Sequence, residues 1–169
     1  YEPVIGVAFD GTGFGRDGNI WGGEFFVGDY RAMRRVAHFG YVPMPGGEAA
    51  IHRPYRMAFS HLYNAFGSEY QGLAIPFVKR LNSTETRLLS QRSGRRLNTP
   101  LTSSCGRRCE AVSSRIGVRG QVKYEGQAAI ELEMVADGDV TDSYGWEYHR
   151  TDEDMLIVDP ASIVRAVAM

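Results

Sequence analysis

Residues 10–19, Asp10-Gly11-Thr12-Gly13-Phe14-Gly15-Arg16-Asp17-Gly18-Asn19, lie between two short apolar runs, VIGVAF at 4–9 and IWGGEFFV at 20–27. Both runs are too short for helices and suit strands. Four glycines between them permit sharp turns and close backbone approach. The pattern predicts a β-hairpin opening the fold, its first strand buried, with a connection long enough to hold a ligand. A glycine-rich connection turns backbone N–H groups outward, where they can surround a phosphate, and Thr12 adds a hydroxyl. Asp10, at the strand end, puts a carboxylate at the mouth, suited to a divalent cation. There is no Gly-Lys-Ser/Thr, so this is not a P-loop, and a strand rather than a helix follows, so it is not a dinucleotide fingerprint. The competing reading is a hairpin that needs glycine only for its turns.

Downstream the apolar spacing becomes helical. Asp29 reads as the cap of a helix over 30–39 with Met33, Val36 and Ala37 inward. Residues 43–47 (PMPGG) read as a loop. Pro54 suits the first turn of a helix on which Tyr55, Ala58, Phe59, Leu62, Tyr63 and Phe66 share a face, stopped by Gly67. Ser83 caps a short helix carrying Leu88 and Leu89, and Ser103 or Ser104 caps another that ends at Gly117. On the latter, Cys105, Cys109, Val112 and Ile116 form the expected inward stripe. A helix over 127–136, strands at 146–150 and 155–158, and a helix from Asp159-Pro160 complete an α/β pattern.

Hydrophobic residues make up 43% of 169 residues, enough for one packed domain or two small halves. The net charge of −1 gives no global field for nucleic acid. It conceals two blocks. Residues 87–119 hold eight arginines and one acid, Glu110; residues 131–159 hold ten acids and one arginine, Arg150. Either these are solvated faces that attract each other or a neighbouring domain, or some arginines meet phosphate. The basic block contains no aromatic residue, which counts against nucleic acid. Cys105 and Cys109 read as reduced core thiols, a redox or metal pair being the alternative. His38, His52, His61 and His149 match no metal-ligand spacing and read as surface or capping residues.

Other segments suggest a site. Consecutive Gly22 and Gly23 inside a strand mark a bulge or a close ligand. Thr102-Ser103-Ser104 at a helix start offers hydroxyls and N–H groups to an anion, or simply a cap. Tyr124-Glu125-Gly126-Gln127 leads into Glu131. Glu110 and Glu131, on neighbouring helices, either accept hydrogen bonds from two ribose hydroxyls or are solvated acids.

Four ordered stretches then carry a family resemblance. They are Asp10-Gly11-Thr12-Gly13-Phe14-Gly15 with Trp21-Gly22-Gly23-Glu24-Phe25; Pro43-Met44-Pro45-Gly46-Gly47-Glu48-Ala49-Ala50; Asn98-Thr99-Pro100-Leu101-Thr102-Ser103-Ser104-Cys105-Gly106-Arg107; and Tyr124-Glu125-Gly126-Gln127-Ala128-Ala129-Ile130-Glu131-Leu132-Glu133. Over residues 4–135 they resemble HypF, the carbamoyltransferase family of nickel–iron hydrogenase maturation. The resemblance implies an actin/Hsp70/sugar-kinase (ribonuclease H-like) mixed sheet with helices, here part of a two-lobed domain. Residues 1–169 would be the middle of the carbamoyl-transfer domain, without the family's upstream histidine motif and downstream glycine-rich motif. It implies nucleotide contacts at Gly11, Thr12, Gly13, Gly22, Gly23, Glu110, Gly126 and Glu131. It implies a divalent metal, iron or zinc, on Asp10 together with ligands outside this chain. No catalytic side chain is assigned. Where the family reads G-R-L-F-D, this chain reads Gly106-Arg107-Arg108-Cys109-Glu110. Glu110 keeps the carboxylate, one methylene longer, while Arg108 and Cys109 shrink an apolar contact.

The implied chemistry is transfer of a carbamoyl group to the C-terminal cysteine of HypE. The donor is carbamoyl-adenylate, made elsewhere in the whole protein from carbamoyl phosphate and ATP with Mg. Alternatives are a small-molecule O-carbamoyltransferase of antibiotic biosynthesis and a non-catalytic nucleotide-binding module. The chain lacks an initiator methionine and ends in an apolar stretch at 163–169, which suggests a piece of a longer protein, inactive alone. No apolar run approaches the ~20 residues that span a membrane, and no secretory signal opens the chain, so the expected location is the cytoplasm.

Overall fold

The computed structural model describes residues 2–168; Tyr1 and Met169, at the two ends discussed above, lie outside the described residues. Strands β1 (Val4–Phe14), β2 (Ile20–Gly28) and β3 (Met33–Phe39) form an antiparallel meander. β7 (Leu156–Asp159) joins β3 in parallel, and β6 (Glu147–Arg150) pairs with β7. Two short strands, β4 (Val42–Pro43) and β5 (Leu101–Thr102), pair with each other, and β5 meets β2 at Ile20. Ile20 also pairs with Phe14, so β5 lies on the edge of β2 opposite β1.

The expected helix over 30–39 is instead β3. Asp29 does not cap a helix; its carboxylate accepts the N–H groups of Arg31 (2.8 Å) and Ala32 (3.2 Å), and its own N–H donates to Ala32 O (3.0 Å). That tight turn reverses the chain and sets Met33 against Gly28. Ladders on both sides then outweigh the modest helix preference of Met33, Arg34, Arg35 and Ala37. β1 also differs from expectation. It is a strand, but Val4, Ile5, Val7 and Phe9 are all more than half exposed, because β1 is the last strand of the sheet and α5 covers it only in part.

The core lies on the helical side. α1 (Glu48–His52) leads into α2 (Pro54–Phe66), with Pro54 in the first turn and Gly67 ending the helix at φ 56°. Met57, Ala58, Phe59 and Leu62 of α2 are fully buried. They pack with Met44, Ala50, Tyr70, Phe77, Leu89, Ala111 and Val164. Each such apolar side chain contributes roughly 1.5–3 kcal/mol when removed from water. A 3-10 turn (Gly67–Gly72) and α3 (Pro76–Arg80) connect to α4 (Ser83–Arg95). The cap of α4 is Asn82, not Ser83, its side chain accepting from the N–H groups of Thr84 and Glu85. α5 (Cys105–Ile116) and α6 (Gln127–Met134) pack together, and α7 (Pro160–Ala168) returns against α2. On α5 the expected apolar stripe is only half-buried, and Ile116 is exposed. The buried face is Arg107, Glu110, Ala111, Ser113 and Ser114. Among the described residues no helix is long and apolar enough to cross a membrane.

His38 and His61 are buried rather than on the surface. His61 lies among Ala58, Arg108, Ala111, Val112, Arg115 and Val164. Burial, then the charges of Arg108 and Arg115, push its imidazolium down to about 3 from an ordinary value of 6.5. Between those values the unfolded chain binds a proton that the folded chain excludes, so stability falls as pH drops through this window. One such proton is worth up to about 1.4 kcal/mol per pH unit. His61→Leu should flatten the dependence of stability on pH between 4 and 6.5 by nearly that slope, measured by urea denaturation at fixed pH values.

Candidate functional site

The glycine segment is not the hairpin's connection. Phe9 pairs with Gly23 and Gly13 with Trp21, so Asp10, Gly11 and Thr12 stand opposite Gly22 alone. They form a bulge inside β1, and the strand resumes after them. The hairpin turn lies further on, closed by Gly18 N–H donating to Gly15 O (3.1 Å). Asp17 braces it, accepting from Asn19 N–H (3.1 Å), the Trp21 indole (2.9 Å) and the Tyr41 hydroxyl. Against the upward push of burial, these bonds hold Asp17 down to about 2.

The N-terminus of α5 sits on the bulge. Ser104 caps α5 by accepting Arg107 N–H (3.1 Å), and its hydroxyl donates to Asp10 O (2.7 Å). This approach explains the paired glycines of β2. A Cβ on Gly22 would lie 2.4 Å from Asp10 O and 3.1 Å from Ser104 Cα, and one on Gly23 would lie 2.4 Å from Ser103 O. Gly106 is constrained less severely, its missing Cβ 3.0 Å from Gly11 Cα. The N–H groups of Gly22 and Gly23, expected to grip phosphate, both donate to Glu24 Oε2 at 2.8 and 2.7 Å. Glu24 is fully buried, and its Oε1 accepts from Arg35 (2.9 Å) and the Ser103 hydroxyl. Arg35 in turn stacks on Trp21, its guanidinium carbon 3.9 Å from the ring centre. Both serine hydroxyls at the helix start are thus used inside the protein.

Arg107 joins the remaining parts. Only 2% exposed, it donates through Nε to Gly11 O (3.2 Å), through Nη1 to Glu110 (2.7 Å) and through Nη2 to Glu125 (3.0 Å). Glu110 is 1% exposed; burial pushes its carboxyl up to about 7 against the pull of Arg107. It is therefore an internal partner of Arg107 rather than an open acceptor. Glu131 accepts from Arg119 at 2.7 and 2.9 Å and from Gln127 at 2.8 Å. Gly126 starts α6 with φ 80°. Asp10 is exposed, with one oxygen accepting Gly11 N–H (2.6 Å). Thr12 and Gly13 open onto a shallow concavity shared with Phe14, Gly15, Gly18, Asn19 and Ile20. Among the described residues no three His, Cys, Asp or Glu side chains converge as a metal site. Asp10 alone does not make one.

Sequence reasoning missed Arg107 and Glu125 as site residues, although both stand in the quoted motifs, and it missed the Glu24–Arg35 pair. The sign that could have found Glu24 is its place directly after two glycines in a strand. The guanidinium of Arg108 lies 3.9 Å from the centre of the Phe39 ring. The basic block is split. Arg107 is buried and Arg108 lies on Phe39, whereas Arg87, Arg92, Arg95 and Arg96 face solvent; Arg119 pairs with Glu131 of the acidic block.

With this geometry in view, the model of the carbamoyltransferase Kae1-like domain, second subdomain, matches residues 6–169. The chain belongs to the HypF carbamoyltransferase family. It is 34% identical to carbamoyltransferase HypF of Synechocystis, over 98% of this chain and 23% of that protein. It is 42% identical to carbamoyltransferase HypF2 of Cupriavidus necator, over 80% of this chain and 16% of that protein. A crystal structure of full-length HypF in the phosphate- and nucleotide-bound form superposes with a TM-score of 0.86 at 39% identity, over 99% of this chain and 21% of that one. The chain thus spans about a fifth of the length of these HypF proteins. The likeness bears out the mixed α/β fold expected from the four motifs.

The close approach at Gly22 and the open space at Gly126 separate two kinds of glycine. Both have positive φ, 154° and 80°, but nothing lies within 4 Å of a Cβ on Gly126. Gly22→Ala should cost about 2–5 kcal/mol, strain and overlap together. Gly126→Ala should cost only the left-handed penalty, about 1–2 kcal/mol. Urea denaturation of the two variants checks the difference.

Proposed function

We propose that this domain holds carbamoyl-adenylate and passes its carbamoyl group to the C-terminal cysteine of HypE. The observation that carries the reading is the Asp10–Thr12 bulge, fixed on the start of α5 by Ser104 and Arg107, in a chain of the HypF family. The phosphate- and nucleotide-bound full-length HypF supports a nucleotide as ligand. In this reading Gly11, Thr12 and Gly13 receive the phosphate, the Gly11 N–H exchanging the Asp10 carboxylate for it. Gly22 and Gly23 act by shaping the bulge, since their N–H groups belong to Glu24. Glu131, a quarter exposed, uses three of its roughly four lone-pair positions internally and keeps one for a ribose hydroxyl. Glu110 supports the site through Arg107.

In the transfer, the cysteine thiolate bonds to the carbamoyl carbon and the bond from that carbon to the phosphate oxygen breaks, releasing AMP. The bulge contributes by orienting the phosphate and spreading its charge onto its own donors, the Thr12 hydroxyl among them. ATP, carbamoyl phosphate and Mg, used to form the adenylate elsewhere in the whole protein, and a cytoplasmic setting belong to the same proposal. A small-molecule O-carbamoyl acceptor would need the same donor site; the HypF relatives favour the protein thiol. Asp10 would give a metal, iron or zinc, one ligand. The others must come from outside this chain, and no step here runs through it.

Two outcomes test the reading. In the full-length protein Glu131→Ala should weaken AMP binding roughly ten- to a hundredfold by titration calorimetry, whereas the exposed Glu133→Ala should leave it unchanged. The 169-residue chain by itself should retain far less than one equivalent of zinc or iron through purification, measured by emission spectrometry.

A further inference from the structure

Glu125 stands apart from the other carboxylates around the bulge. Glu24 is closed in by Gly22, Gly23, Arg35 and Ser103, Glu110 is buried on Arg107, and Asp17 is spent on the hairpin turn. The Glu125 side chain is 65% exposed, yet it is not loose. Its Oε1 accepts from Nη2 of Arg107 at 3.0 Å, and Arg107 is itself immobilised by Gly11 O and Glu110. A Cβ on Gly11 would lie 3.4 Å from that same oxygen, so the carboxylate rests over the Cα of the bulge. Among the described residues Oε2 accepts no hydrogen bond.

A fixed carboxylate repels phosphate oxygens and attracts hydrogen-bond donors. It lies over Gly11, at the bulge, where the adenylate's phosphate and the group attached to it would sit. Of the groups at that end of a carbamoyl-adenylate, the carbamoyl amide is the one that carries N–H donors. We propose that Glu125, aimed by Arg107, is a specificity-determining residue that accepts a hydrogen bond from the amide of the carbamoyl group. The inference rests on the carbamoyl-transfer reading and assigns its donor selectivity to one side chain.

The test uses the full-length protein, with carbamoyl transfer to its thiol acceptor and AMP binding measured on the same preparations. Glu125→Ala should lower kcat/KM for transfer roughly ten- to a hundredfold, the loss of one charged hydrogen-bond partner, while AMP affinity stays within twofold. Glu125→Gln keeps an acceptor oxygen and should recover most of the activity. Carbamoyl-phosphate-dependent exchange of pyrophosphate into ATP should be unchanged in both variants. If AMP affinity falls in parallel with transfer, Glu125 holds the nucleotide or the fold, and the assignment to the amide is overturned. Unchanged transfer in a folded Glu125→Ala protein overturns it equally. A divalent cation between Asp10 and Glu125 is the remaining occupant; transfer that Glu125→Gln abolishes and excess Mg restores would identify it and refute the amide contact. Failure of the unsubstituted protein to transfer carbamoyl at all would instead remove the functional reading beneath the inference.

Discussion

A single buried guanidinium holds the site together. Taking the charge of Arg107 out of water costs several kcal/mol, and the cost is offset only because the planar fork finds an acceptor for each of its three nitrogens. Those acceptors belong to three parts of the sequence, the bulge of β1, the second turn of α5 and the segment before α6. Lysine could not reproduce the arrangement, having one nitrogen to share. The extra methylene of Glu110, where the family motif has aspartate, is compatible with this fork; its carboxylate reaches Arg107 at 2.7 Å one helical turn away.

The fork can work only if backbones come unusually close. Gly22, Gly23 and Gly106 supply that closeness from two elements, β2 and α5, and Ser104 converts the contact into hydrogen bonds. A strand weakened by two glycines would be a liability in isolation. Here Glu24 compensates by taking both of their N–H groups, and Arg35 balances its charge. The outcome is a rigid sandwich of strand, bulge and helix start rather than a flexible glycine loop.

Much of this could be read from the residues, and the failures share a cause. The hairpin of β1 and β2, the proline-started α2 and the serine-capped α5 follow from local chemistry: apolar runs, Pro54, Gly67, Ser104 and Gly117. β3 was misread because Met33, Val36 and Ala37 satisfy helical spacing equally well, and only pairing with β2 and β7 decides the matter. The buried face of α5 was misread for a related reason. Arg107, Glu110, Ser113 and Ser114 look like a solvated face until the packing of α2 and α6 against α5 is known. α1 and α3, five residues each, are too short to show any period. The bulge is the subtlest case: glycine content marked the segment, but register alone reveals that β1 continues beyond it.

That continuation has a thermodynamic consequence. A loop at a hairpin tip keeps much of its backbone freedom and must surrender it on binding, at about 1–2 kcal/mol per residue fixed. Asp10, Gly11 and Thr12 are pinned before and after by ladder pairs, at Phe9 with Gly23 and Gly13 with Trp21. Their ordering is completed when the chain folds, so the bulge is a stretch of backbone that would have almost no entropy left to lose to a ligand.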